Sequence, residues 1–113
     1  MSKTSKGPAF RGGIGEMMRY ATRIQQKLGA MKEEVKTRTV TASAAGDRVT
    51  AEVNGERKVV RITIDREKVG TEDLAELSDL ITAAVNLALD KMDALIKEET
   101  HKVTGGVDLP GFF

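Results

Sequence analysis

Three basic residues in the N-terminal region have a spacing that suits contact with a polyanion. Arg19, Arg23 and Lys27 recur every four positions, so on a helix they form one ridge with about 5.4 Å between neighbours. Basic side chains at this spacing can reach successive phosphates, and neutralising those phosphates releases counterions. The alternative is an ordinary solvated helix face whose charge is balanced by Glu33 and Glu34.

The distribution of charge along the chain favours the polyanion. The 113 residues carry a net charge of +1. Residues 1–32, however, hold seven Lys or Arg against one acid, and the rest holds eleven against sixteen. Such asymmetry is typical of contact with nucleic acid or a membrane surface. The sequence therefore predicts an anion-binding surface. Because no aromatic stacking platform, helix-turn-helix or zinc module accompanies it, we expect DNA contacts mostly to the backbone.

Other candidate sites are weak. Gly12-Gly13-x-Gly15 has no strand before it and no Gly-Lys-Ser/Thr after it, so it indicates a flexible helix start and not a phosphate loop. His101, the one histidine, has only Glu98 in reach as a second metal ligand, and a helix C-terminus explains a cationic histidine equally well.

Acidic residues give no catalytic pattern either. A polar stripe of the long C-terminal helix contains Asp79, Asp90 and Asp93, which we expect to face solvent. No nucleophile–base pair or paired acid–base carboxylates occur. The sequence therefore predicts no enzyme, no metal, no cofactor and no small-molecule substrate.

A first helix must position the basic ridge. An apolar seam with strict 3-4 spacing predicts it, formed by Ile14, Met17, Ala21, Ile24, Leu28, Met31 and Val35. A long helix with so narrow a seam can project from a core and pair with a partner helix. Residues 1–11 lack periodicity, so we expect a mobile basic arm there.

Between residues 36 and 65 the apolar period changes to two, which predicts three antiparallel strands with one covered face. The inward positions are Val40, Ala42 and Ala44, then Val49, Ala51 and Val53, then Val60, Ile62 and Ile64. Asn54-Gly55 predicts a type I′ turn in the second hairpin, with positive φ at both residues. Ala45-Gly46-Asp47 closes the first hairpin.

A long helix over residues 71–103 is predicted to cover the sheet, with Thr71 as N-cap and Gly105-Gly106 as its end. Its apolar arc exceeds the roughly 100° that one core requires, so a second copy of the chain would hide the remainder. The expected dimer interface consists of Leu80, Ile81, Ala84, Val85, Leu87 and Ala88. Asn86 either fixes register there or lies on the surface.

These elements define an α+β fold in the order α-β-β-β-α. We expect a basic arm (1–11), one domain (12–104) and a C-terminal tail (105–113). The chain has no cysteine, no signal peptide pattern and no apolar run of the roughly 20 residues that span a bilayer. We therefore expect a soluble, cytoplasmic protein without membrane contact.

Motifs in the same order resemble the YbaB/EbfC family of bacterial nucleoid-associated proteins. They are Gly12-Gly13-Ile14-Gly15-Glu16-Met17-Met18, Gln25-Gln26, Val53-Asn54-Gly55, Val60, Ile64-Asp65, Leu80-Ile81-x-Ala83-Ala84-Val85-Asn86-x-Ala88 and Leu109-Pro110-Gly111-Phe112. Together they span nearly the whole chain from Gly12 onward.

The resemblance implies a tweezer-like homodimer that binds double-stranded DNA in the nucleoid, with a role in nucleoid organisation and gene regulation. In this family the DNA contacts are ascribed to the outlying helical parts. The expected DNA-binding residues here are therefore Arg19, Arg23 and Lys27, with Arg11, Lys97 and Lys102. The alternative is a protein–protein adaptor that uses the first-helix seam and the tail.

Overall fold

The computed structural model describes residues 13–69 and 73–105. In chain order its elements are helix α1 (Ile14–Val35), strands β1 (Thr39–Ala44), β2 (Val49–Asn54) and β3 (Val59–Ile64), and helix α2 (Leu74–Thr104). The predicted α+β fold is confirmed. The expected arm at residues 1–11 and most of the tail lie outside the described residues.

The three strands form one antiparallel sheet in the order β1-β2-β3. Val40 lies opposite Val53, and Ala51 lies opposite Ile62, so their apolar side chains share one face. A bulge near Val53 leaves Val60 as the extra residue of β3. On the outer edge of β1, Lys91 of α2 donates a hydrogen bond from its Nζ to the Thr41 carbonyl oxygen, 2.9 Å away.

The core lies between α2 and the first two strands. Helix α2 packs on β1 and β2, and the C-terminal half of α1 packs on α2. The buried apolar residues are Leu28, Met31, Val35, Ala44, Val49, Ala51, Val53, Val69, Ala84, Ala88, Met92 and Ile96. This is an aliphatic core with several alanines, which let the helix approach the sheet closely.

Strand β3 is less covered than the sequence pattern predicts. Val59, Val60 and Ile64 are 47%, 50% and 38% exposed. A helix about 10 Å across spans only about two strands set 4.8 Å apart. Because α2 lies over β1 and β2, the apolar side of β3 is only partly covered in the described chain: Ile62 packs against the core, whereas Val59 and Ile64 stay exposed.

Glycine and aspartate fix the ends of α2. The helix begins at Leu74, and the Asp73 carboxylate accepts a hydrogen bond of 3.0 Å from the Glu76 N–H. The N-cap is therefore Asp73 and not Thr71, which lies outside the described residues. At the other end Gly105 adopts a left-handed conformation (φ 67°) and donates its N–H to the His101 carbonyl, which confirms the predicted glycine stop.

The second hairpin does not have the type I′ turn that Asn54-Gly55 predicts. Positive φ occurs instead at Arg57 (61°). The Asn54 side chain accepts hydrogen bonds from the N–H groups of Glu56 and Lys58, at 2.9 and 3.2 Å. Gly55 is required for space, because a Cβ there would clash with the carbonyl oxygen of Val35 at the end of α1.

Candidate nucleic-acid interface

The first part of α1 extends beyond the core. Leu28 is the first buried residue of this helix, whereas Ile14 and Met17 are 74% and 49% exposed. The two helices run antiparallel, since Lys27 shares a groove with Val103, and Val35 shares another with Ile96. Residues 14–23 therefore extend past the C-terminal end of α2.

This projecting segment carries Arg19 and Arg23 of the predicted basic ridge, and Lys27 lies at its base beside the end of α2. Arg19, Arg23 and Lys27 are all exposed. Within residues 13–69 and 73–105, no ion pair joins any of them to an acid. Three uncompensated cations on one helix attract a polyanion.

The two acids expected to balance this ridge make no ion pair with it in the described chain. Glu33 pairs with Lys36 at 2.8 Å, and that hydrogen bond, with the charge of Glu33, raises the pKa of Lys36. Glu34 lines the groove that contains Lys27 but makes no ion pair within the described chain. The alternative of a charge-balanced helix face therefore loses support.

Tyr20 was missed by the sequence analysis. Its ring is 40% exposed, and the Arg23 guanidinium carbon lies 5.8 Å from the ring centroid. This is a cation–π distance, at which the ring restrains the guanidinium. One ring beside Arg23 is less than a stacking platform, but Tyr20 was not among the predicted residues of the ridge. The i, i+3 spacing of Tyr20 and Arg23 was the available signal.

Lys102 joins the ridge from α2, although its charge is partly compensated. It lines one groove with Lys27 and bonds to Glu99 at 3.1 Å. Arg38 lies 3.4 Å from the same carboxylate. The hydrogen bond from Lys102, with help from Arg38, lowers the pKa of Glu99, so this carboxylate stays charged and offsets Lys102.

Of the two remaining predicted contacts, Lys97 lies in the described residues and is not brought to the ridge. Lys97 is exposed and lies four residues after Asp93 on the polar stripe of α2, and no described contact connects it with α1. Arg11 lies outside the described residues. The stripe itself is exposed as predicted at Asp79, Asp90 and Asp93, and Asp93 pairs with Arg57 at 2.7 Å.

The six residues expected at a dimer interface have different environments. Ala84 and Ala88 are fully buried in the chain's own core, because small residues there let α2 sit close to the sheet. They are therefore not available to a second copy. Leu80, Ile81 and Val85 are half-buried, Leu87 is 49% exposed, and Asn86 is exposed.

Neither a membrane span nor a metal cluster occurs in the part of the chain that the structure describes. Neither helix is long and apolar enough to cross a bilayer. No group of three or more His, Cys, Asp or Glu could hold a metal ion.

The αβββα arrangement defines a class of small α+β domains with a known structural relative. The crystal structure of an uncharacterized protein from Helicobacter pylori matches with a TM-score of 0.67. The match covers 81% of this chain and 97% of that one at 17% identity, which shows a common fold. The family follows from sequence: the chain belongs to the YbaB/EbfC DNA-binding family, whose model matches residues 11–107.

Bacterial relatives agree with this assignment over nearly the full length. A nucleoid-associated protein of Acetivibrio thermocellus is 41% identical over 107 residues, 94% of this chain and 95% of the relative. One from Thermoanaerobacter pseudethanolicus is 40% identical over 106 residues, 92% of this chain and 96% of the relative. The family is one of DNA-binding proteins and not of enzymes.

Proposed function

We propose that this protein binds double-stranded DNA as a cytoplasmic homodimer, mainly through phosphate contacts and with low sequence specificity. In this role it associates with the nucleoid and contributes to its organisation and to gene regulation. The observation that carries the proposal is the basic ridge on the projecting segment of α1 and at its base, where Arg19, Arg23 and Lys27 are exposed and make no ion pair with an acid of the described chain.

Phosphate contact fits the chemistry of this ridge. Long cationic side chains one helical turn apart can each reach a phosphate, whereas sequence reading needs a set of side chains directed at base edges. Lys102 contributes less than the ridge because Glu99 offsets its charge. Lys97 and Arg11 are secondary contacts in this proposal.

Apolar surface that one chain leaves uncovered supports the homodimer. Val59, Val60 and Ile64 of β3 and Leu87 of α2 remain exposed. We assign the dimer contact to this strand together with the apolar side chains that stay accessible on the two flanks of α2, at Leu80, Ile81, Val85 and Leu87. A two-fold pair presents two basic helices, as in tweezers, so one duplex can be held at two places.

A salt titration with a matched pair of triple variants tests the DNA contact. Arg19→Ala, Arg23→Ala and Lys27→Ala together remove the ridge. Lys36→Ala, Arg48→Ala and Lys68→Ala together remove the same charge from cations that already pair with Glu33, Glu76 and Asp65. Affinity for unrelated duplexes of equal length is measured by fluorescence anisotropy between low and moderate salt.

The ridge variant is expected to bind at least tenfold more weakly. Its plot of log affinity against log salt should be shallower, by about 0.9 for each lost phosphate contact. The control variant should keep the wild-type slope. Equal slopes for both variants, or strong preference for one duplex, would contradict the proposal.

An adaptor function is the second candidate, because Ile14 and Met17 leave half of the α1 seam exposed. In that case the seam and residues 107–113 would bind another protein. Absence of DNA binding even at low salt, together with a protein partner lost on deletion of residues 107–113, would favour the adaptor.

A further inference from the structure

One apolar face of α1 is covered along only half of its length. Ile14, Ala21, Leu28 and Val35 recur every seven residues and therefore share this face. Leu28 and Val35 are buried in the core. Ile14 is 74% exposed and Ala21 is also exposed. The packing surface of α1 thus continues beyond the point where its present cover ends.

That cover ends where α2 stops. Val103 and Lys27 line the same groove, and the helix terminates one residue later at Thr104. Gly105 closes it in a left-handed conformation. Since the helices are antiparallel, a chain that continues along the direction of α2 runs beside the exposed half of α1.

The residues that follow have the composition and the length to cover this face. The sequence from Gly106 to Phe113 is GVDLPGFF, with apolar side chains at Val107, Leu109, Phe112 and Phe113. Eight extended residues reach about 26 Å at 3.3 Å each. Ten helical residues, the separation of Ile14 and Ile24, span only about 15 Å.

We propose that residues 107–113 dock in the same chain on the exposed face of α1 formed by Ile14, Met17 and Ala21, with Phe112 and Phe113 as the anchoring side chains. The tail then continues the packing that α2 makes with Leu28 and Met31. This contact holds the projecting segment of α1, and it is independent of the proposed DNA binding.

Cysteine cross-linking in the full chain tests the contact directly, because the sequence contains no cysteine. The test variant combines Met17→Cys with Phe112→Cys. The control combines Thr22→Cys with Phe112→Cys, since Thr22 is exposed on the same segment but lies about 140° around the helix from Met17. Both proteins are oxidised with oxidised glutathione, and products are separated on non-reducing gels and mapped by mass spectrometry.

The test variant should form a disulfide within one chain at least tenfold faster than the control. Equal rates would overturn the proposal. A disulfide that joins two chains would also overturn it, because the tail would then occupy a second copy.

Hydrogen exchange provides a readout without cysteines. In the Phe112→Ser, Phe113→Ser double variant, the amides of residues 17–23 should exchange at least fivefold faster than in the wild type, while those of β2 keep their rates. The matched tail variant Asp108→Asn should resemble the wild type. Unchanged protection of residues 17–23 in the double variant would overturn the proposal.

Discussion

At the scale of single residues, Gly55 lets the turn between β2 and β3 lie directly against the end of α1. A Cβ at this position would meet the carbonyl oxygen and carbon of Val35. Both are backbone atoms, so neither can move as a flexible side chain would. The hairpin and the helix are thus held together at a point where only glycine fits.

Gly55→Ala is expected to lower the free energy of unfolding by about 1–3 kcal/mol, the usual cost of overpacking. Gly29→Ala is the matched control, because no atom lies within 4 Å of the added Cβ in the middle of α1. It should raise stability by up to about 1 kcal/mol through helix propensity. Urea unfolding at equilibrium measures both changes.

An unchanged urea midpoint for Gly55→Ala would contradict this prediction and would mean that the turn can move away from α1.

The Asn54-Gly55 pattern predicted the position of this turn correctly, but the reason that we inferred for its glycine was wrong. The type I′ interpretation depends on local φ preference, whereas the observed requirement arises from a residue 20 positions earlier in the chain. A local sequence pattern cannot predict a close contact between residues that are far apart in the chain.

At the scale of elements, Glu99 joins three parts of the molecule. Its carboxylate on α2 lies 3.4 Å from Arg38, which precedes β1, and 3.1 Å from Lys102 one turn further along the helix. The side chain of Glu99 is only 17% exposed. These cations lower its pKa, with the Lys102 hydrogen bond as the largest cause.

The lowered pKa of Glu99 predicts how stability changes with pH. A carboxyl group with a lowered folded-state pKa adds stability above its ordinary pKa of about 4.3, and that contribution is lost as pH falls through the folded value. Glu99→Gln should therefore be less stable than the wild type at pH 7. The difference should narrow at pH 3, as measured by urea midpoints at both values.

Glu98→Gln is the control for this experiment, since Glu98 is the exposed neighbour and makes neither of these contacts. Its difference from the wild type should be small at both pH values. A Glu99→Gln difference that stays constant between pH 7 and pH 3 would show that the carboxylate charge contributes nothing.

Periodicity predicted the five elements because each one buries a single face. It also predicted the exposed ridge, since Arg19, Arg23 and Lys27 lie off the seam. Features that depend on how the elements pack against one another could not be predicted from periodicity. Ala84 and Ala88 belong to an apolar arc whose inner and outer sides look alike in sequence, so a core position could not be told from a dimer position.

The incomplete cover of β3 has the same origin. Alternation in Val60, Ile62 and Ile64 predicts an apolar face but not which strands a single helix reaches. The width of α2 relative to strand spacing decides that question. The sequence therefore predicted which side chains of the sheet are apolar, whereas the width of α2 determined which of them remained uncovered.

At the scale of the whole molecule, the uncovered apolar surface gives a test of the proposed homodimer. Leu87→Asp places a charge on an α2 side chain that is 49% exposed within one chain, so the fold should be retained. If a second copy covers this position, the dissociation constant should rise at least tenfold, about 1.4 kcal/mol. Sedimentation velocity at micromolar concentration measures the change.

Thr82→Asp is the matched control, because this exposed residue lies on the polar side of α2 and receives the same charge. Circular dichroism should show the wild-type helix content for both variants. A wild-type protein that sediments as one chain, or a Leu87→Asp protein with unchanged association, would contradict the homodimer.

The hydrogen bond from Lys91 to the Thr41 carbonyl also has a consequence for association of chains through the edges of their sheets. A strand edge with free N–H and C=O groups can serve as a template for another chain. Lys91 occupies one carbonyl group in the middle of the β1 edge, so that edge is a poorer template. If two copies meet through β3, as proposed here, each presents the β1 edge outward, where the charged Lys91 side chain disfavours the addition of a further chain.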